Sequence, residues 1–304
     1  MGEESGVVRF GFARVNNVSL HYAEAGSPDD PLLVLLHGFP EFWFGWREIL
    51  APLAAAGFHV VAPDQRGYNL SDKPRGVKGY TLSILARDVF ALASYFGAER
   101  FDVVGHDWGA AVAWRLADAN SPHLGRAVII NAPHPAIWLR TMRMDRGHGR
   151  QSRYVRFFRL PWAPEILIRA SKFRALESAF DSMRRGSAFT ADVLNAYRRA
   201  WRQPGALTAM LNWYRALFGE DLGTPATHSL SHPILVLWGD RDAFASPDLA
   251  DQSAALCANV TVKHFGEATH WIVHEEPDAI QSEIINFLLA SGDSRAKQAV
   301  MGSD

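Results

Sequence analysis

The chain has 304 residues, a length that suits one α/β core carrying an insertion as well as two separate domains. With 48% hydrophobic and 21% charged residues it can bury a large core, which excludes disordered, collagen-like and small disulfide-stapled architectures. A formal net charge of −1 argues against a dedicated nucleic-acid binder.

From the N-terminus, Met1 to Gly6 is acidic and lacks an apolar run, and Gly6 stands where a myristoylation signal needs Ser or Thr. The longest apolar stretches, such as Leu32 to Leu36, are strand-sized and far short of the roughly 20 residues that span a bilayer. The only cysteine, Cys257, can form neither an internal disulfide nor a Cys-based zinc site. The expectation is a cytoplasmic chain with no membrane insertion and no nucleic-acid partner.

Aliphatic runs at Val18 to Tyr22, Leu32 to Leu36, His59 to Ala62, Phe101 to Val104 and Ala127 to Ile130 predict strands. Helical spacing separates the last four, at Trp43 to Ala56, Leu82 to Phe96 and Ala110 to Ala119. Continuous apolar strands alternating with helices predict an α/β fold, a mostly parallel sheet with helices on both faces. From about Pro135 to Thr227 the strand signal vanishes in favour of Arg, Trp, Phe and Ala at helix-compatible spacing, which predicts an inserted helical lid. The strand pattern resumes at Ile234 to Trp238 and Val260 to Phe265, with helices around Pro247 to Ala258 and Pro277 to Leu289, before a small, polar tail from Ser291. The expected core is therefore 1–134 with 228–304, and the cap 135–227. Charge divides along the same line, with 16 Lys+Arg against 7 Asp+Glu in the cap and 15 against 25 elsewhere.

The chemistry sits at strand ends. Phe101 to Val104 runs into Gly105-His106-Asp107-Trp108-Gly109, a G-x-D-x-G turn opening a helix. It has the shape of a nucleophile elbow, with aspartate where lipases carry serine. A carboxylate attacking an alkyl carbon gives an ester that water can open, so the substitution points to displacement at sp³ carbon; the other use of such a residue is as an N-cap. Upstream, Leu32 to Leu36 ends in His37-Gly38-Phe39-Pro40, where the Phe39 N–H, with that of Trp108, would form an oxyanion hole. Downstream lie Gly239-Asp240-Arg241-Asp242 and, after the next strand, His270. The order nucleophile, acid, histidine is that of the α/β-hydrolases, with His270 activating water and an acid orienting it. Asp242 is preferred over Asp240.

On these motifs the sequence resembles an α/β-hydrolase-fold epoxide hydrolase over most of its length. The stretches His37-Gly38-Phe39-Pro40-Glu41-Phe42-Trp43, Asp64-Gln65-Arg66-Gly67-Tyr68 and Gly105-His106-Asp107-Trp108-Gly109 carry the resemblance. It implies Asp107 as nucleophile, Asp242 and His270 as the charge pair, and Phe39 and Trp108 as oxyanion donors. The family also uses two lid tyrosines, matched here by Tyr154 and Tyr214; opening an epoxide generates an alkoxide, and a phenol can hydrogen-bond it and supply its proton. Arg159 departs from a glutamine common in some relatives, which bears on lid packing rather than on the chemistry. The implied reaction is hydrolysis of an epoxide to a vicinal diol.

Two other readings use the same residues. A haloalkane or haloacetate dehalogenase shares the aspartate nucleophile, although fluoroacetate dehalogenases commonly have arginine where this chain has Trp108, and neither group is marked by the tyrosine pair. An inactive binding protein on this fold would be expected to have lost Asp107, Asp242 or His270. No cofactor is implied: there is no G-x-G-x-x-G loop after a strand and no P-loop, and His270 and His274 lack the adjacent glutamate of a helical zinc motif. The substrate's identity and the oligomeric state are not readable from the sequence.

Overall fold

The computed structural model describes residues 7–144, 150–180, 188–220, 222 and 230–290. The first two strands, β1 (Arg9–Val15) and β2 (Val18–Ala25), form a hairpin in the register Val15 to Val18 and Arg9 to Glu24. Its two-residue turn needs positive φ at both positions, and asparagine, which tolerates that region best after glycine, fills both as Asn16 (φ 43) and Asn17 (φ 61). β1 was not expected from the sequence, because its solvent-facing positions include Phe10 and Phe12 and blur the alternation.

The chain then runs through β3 (Leu32–Leu36), a 3-10 turn at Trp43–Trp46, α1 (Leu50–Ala55), β4 (His59–Pro63), α2 (Leu82–Tyr95), β5 (Phe101–His106), α3 (Trp108–Asp118) and β6 (Leu124–Ile130). The single helix expected over Trp43 to Ala56 is broken in two. Pro52 lacks the N–H that a helix interior requires, so it is confined to the first turn and the helix starts only at Leu50. Between β6 and the next strand come α4 (Pro135–Met144), α5 (Arg150–Arg159), α6 (Ala163–Ala170), α7 (Arg174–Glu177), α8 (Ala191–Trp201) and α9 (Ala206–Leu217), with no strand among the described residues there. The chain closes with β7 (Ile234–Gly239), α10 (Asp248–Ala254), β8 (Val260–Phe265), α11 (Ile272–Glu275) and α12 (Pro277–Leu289). The expected lid boundary near 227 and the tail from 291 lie outside the described residues.

The eight strands form one sheet in the order β1-β2-β4-β3-β5-β6-β7-β8. β2 pairs antiparallel with β1 and β4, and every other pairing is parallel. All five residues of β3 are buried, because one face of the sheet is covered by α2 and α3 and the other by α1 and α12. Val34 and Leu36 enter the first apolar cluster, and Leu33 and Leu35 the second. Parallel strands all present their C-terminal ends at one edge, where residues of the following loops converge.

The Asp64 to Tyr68 run serves this edge. Asp64 is fully buried and accepts hydrogen bonds from the Trp43 N–H (3.1 Å) and Asn69 Nδ2 (2.8 Å). Arg66 makes two bonds to Asp88, at 2.6 and 2.7 Å, and its carbonyl accepts from Trp213 Nε1 of α9 at 3.0 Å.

Candidate active site

Asp107 is the single residue between β5 and α3, at φ 51 and ψ −120. Such a conformation costs a non-glycine residue of order 1–3 kcal/mol and persists because its neighbours impose it. A Cβ on Gly109 would lie 1.9 Å from the Leu36 carbonyl oxygen, and one on Gly38 2.4 Å from the Asp107 Cβ. Glycine at both places lets the three chain segments close around the carboxylate.

The two Asp107 oxygens have different surroundings. Oδ1 accepts the Phe39 N–H at 2.7 Å, whereas Oδ2 lies 3.5 Å from His270 Nε2. The loop presenting Phe39 is itself fixed. His37 donates from Nδ1 to the Gly38 carbonyl (2.9 Å), and its Nε2 accepts the Gln65 N–H (3.0 Å). Burial lowers the His37 pKa, keeping the ring neutral and Nε2 free to accept. Trp108, the first residue of α3, lines the same cavity. Its amide belongs to a helical first turn, whose N–H groups lack intrahelical acceptors.

His270 Nδ1 donates to Asp242 Oδ2 at 2.7 Å. The Asp242 side chain is completely buried and also accepts from the Phe244 N–H (2.6 Å), the Ala245 N–H (3.1 Å) and Asn131 Nδ2 (2.7 Å). Asp240 instead pairs with His264, half-exposed and away from His270. Burial opposes the charged form of His270, but the Asp242 and Asp107 carboxylates outweigh it and push the imidazole up to about 10. Burial likewise opposes Asp107 ionisation, yet the His270 hydrogen bond and charge, with His106 and the Phe39 N–H, hold the carboxyl below the usual range. Each of the two groups thus favours the charged form of the other.

Tyr154 on α5 and Tyr214 on α9 stand across the cavity, with ring centroids 6.2 Å apart. Burial, helped by the Asp107 charge, raises both phenols, so they remain protonated donors. The cavity has two lobes that share Asp107, Tyr154, Tyr214, Phe244 and His270 as walls. One, of about 60 Å³, extends toward Ala111, Pro133 and Trp138; the other, of about 230 Å³, extends toward Phe158, Leu176 and Trp271. Six of the seven residues singled out in the sequence thus line one cavity, and the seventh, Asp242, is buried behind His270.

An aspartate on a strained strand-to-helix turn, backed by an amide donor and followed by an acid-oriented histidine, is the arrangement of one fold family. A model of the alpha/beta hydrolase fold matches residues 31–277. The chain is 42% identical over 281 residues to the AB hydrolase superfamily protein YfhM of Bacillus subtilis, covering 92% of this chain and 98% of that protein. It is 33% identical to Epoxide hydrolase 2 of Caenorhabditis elegans, covering 91% of this chain and 79% of that one. The chain belongs to the epoxide hydrolases of the α/β-hydrolase fold. Among solved structures, a Bacillus megaterium epoxide hydrolase in complex with an inhibitor superposes with a TM-score of 0.81 at 29% identity, covering 91% of this chain and 99% of that one.

Beyond the seven, this hydrolase buries residues around the site that pattern reading passed over. Asn131, at the end of β6 with φ 47, ties Asp242 to the sheet and accepts the Gly239 N–H at 3.0 Å. Its only signal was an asparagine following a core strand. Glu41, buried behind Phe39 and Pro40, accepts from Tyr197 Oη (2.6 Å) and His274 Nε2 (2.8 Å) and lies 3.3 Å from His106 Nδ1. Burial opposes its charge, but His274 and His106 hold it well below the usual carboxyl range. His274 is thus employed separately from His270, and no group of three or more metal-ligating side chains occurs among the described residues.

Proposed function

We propose that this chain hydrolyses apolar epoxides to vicinal diols through a covalent ester on Asp107, under a lid formed by the helices between β6 and β7. The observation that supports it best is the division of labour at Asp107: Phe39 holds Oδ1, and Oδ2 is left toward His270 and the cavity. In the first step Oδ2 attacks a ring carbon, the C–O bond breaks, and Tyr154 or Tyr214 protonates the departing oxygen. Esterification removes the Asp107 charge and its contact with His270. The imidazole pKa then falls, and His270 releases a proton that replaces the one taken from the phenol. Neutral His270 is now a base. It takes a proton from water as the water attacks the ester carbonyl, whose oxygen is Oδ1, already at the Phe39 N–H, with Trp108 the second donor. Collapse expels the diol, which keeps the water's other proton, and restores carboxylate and imidazolium.

A halide leaving group would give the two phenols no oxygen to protonate, which favours the epoxide over an organohalide. Incubating His270→Gln with styrene oxide should produce an intact-mass increment equal to one epoxide, localised to Asp107. Full turnover by this variant or by Asp107→Ala, or halide release from organohalides without diol formation from epoxides, would overturn the scheme.

A further inference from the structure

The outer face of the helical insertion combines exposed apolar and basic side chains. Trp162, Ile166, Leu167 and Leu160 are 75, 64, 56 and 49% exposed, and they follow one another across the α5–α6 turn and along α6. Trp162 and Ile166 are four residues apart, so they share one helical face. In the same stretch of chain Arg153, Arg156, Arg169, Lys172 and Arg174 are exposed, as is Arg159, whose guanidinium also stacks on the Phe218 ring at 3.9 Å. The acidic residues of this stretch, Glu165 and Glu177, are already committed to Arg215 and Arg198. Trp162 holds its outward position at φ 59, a left-handed conformation that costs a bulky residue free energy and returns it no burial within the monomer.

We infer that this face docks on an anionic lipid surface. Tryptophan and aliphatic side chains on a short amphipathic helix enter the interfacial layer of a bilayer, while flanking Arg and Lys side chains meet acidic headgroups. A second copy of the chain is the poorer occupant, since a two-fold contact would set six cations against six. A hydrophilic polyanion would leave the tryptophan, isoleucine and leucines without partners. The same helices carry Tyr154 and Phe158 on their inner side, so docking would bring the cavity wall to within one helix diameter of the phase in which apolar compounds concentrate. The inference rests on the outer surface and stands whichever leaving group the cavity takes.

Co-sedimentation of the full chain with vesicles tests it. Binding should be strong with phosphatidylcholine containing a third phosphatidylglycerol at low salt, weak with phosphatidylcholine alone, and reduced by high salt. Arg156→Glu with Arg169→Glu should weaken it by about 30-fold or more, and Trp162→Ser with Ile166→Ser by about tenfold. Both variants should keep turnover of a water-soluble epoxide within about twofold, which shows that they fold. Absence of binding to the anionic vesicles, or binding unaltered by both pairs of substitutions, overturns the inference. So does concentration-dependent self-association that Trp162→Ser abolishes in the absence of vesicle binding.

Discussion

His270 is held by two carboxylates, and the proposed scheme separates their roles by turning one of them into an ester. Asp242 is the partner of His270 Nδ1, so Asp242→Asn should remove the tautomer control and slow ester hydrolysis about 10³-fold or more. Ring opening, assigned in the proposed scheme to Asp107 and the tyrosines, should be less affected. An ester on Asp107, visible by intact mass after mixing with an epoxide, should therefore accumulate; a uniform loss of both steps would place Asp242 elsewhere in the scheme. The same charges link pH to stability. An imidazole raised from 6.5 to about 10 stabilises the fold fully below its unfolded value near 6.5 and loses that contribution as pH climbs through about 10. Unfolding free energy from denaturant titrations should therefore decline over this interval by of order 5 kcal/mol. His270→Gln should flatten the decline; an equally steep one in that variant would assign the pH dependence to other groups.

Between strand and helix, the elbow depends on three backbones approaching more closely than side chains allow. Gly109→Ala would press a Cβ to 1.9 Å from the Leu36 carbonyl and should cost at least about 2 kcal/mol, enough to lower Tm by several degrees. Gly266→Ala, where an added Cβ meets nothing within 4 Å, is the matched control and should leave Tm within a degree or so. Equal Tm values for the two variants would contradict the steric account. Local signals of this kind explain what the sequence made readable. β3 is an uninterrupted aliphatic run and β5 is apolar up to Val104 apart from Asp102, and each leads into a glycine-containing motif, so Phe39, Asp107 and the parallel core were legible. So were Asp242 and His270, each in the loop that follows a readable strand. β1 was not, because its partner strand rather than its own alternation decides which side chains face inward. Asn131 and Glu41 were missed for a related reason: each acts through bonds to residues far away in the chain, Asn131 with no local pattern and Glu41 inside the His37 to Trp43 motif but with nothing there to give it a role.

Across the whole molecule, the helical insertion is fastened to the core by polar contacts at several places, one group of them beside the loop that carries Phe39. Trp201 Nε1 donates to the Pro40 carbonyl at 2.6 Å, Trp213 Nε1 to the Arg66 carbonyl, and Glu220 accepts the Leu82 and Ser83 N–H groups at the start of α2. Tyr197 from α8 joins Glu41, His106 and His274 from the core, and His106 Nε2 reaches the His270 carbonyl at 2.8 Å. A buried carboxylate with polar partners is weak evidence for stability in itself, but removing one of its partners is costly because its charge is left undersolvated. Tyr197→Phe keeps the ring and deletes the donor to Glu41, so it should cost about 2 kcal/mol and lower Tm by roughly 4 °C. Glu41 follows Phe39 by two residues and is tied through His106 to the His270 backbone. Loosening it should therefore reach catalysis as well, lowering kcat by up to about tenfold, less than outright loss of an oxyanion donor. Thermal unfolding and steady-state diol formation check the two together. Lowered Tm with unchanged kcat would make the cluster a fastening between insertion and core and nothing more. A parallel fall in both would show that the lid's seating on Glu41 sets the geometry at Phe39 and His270.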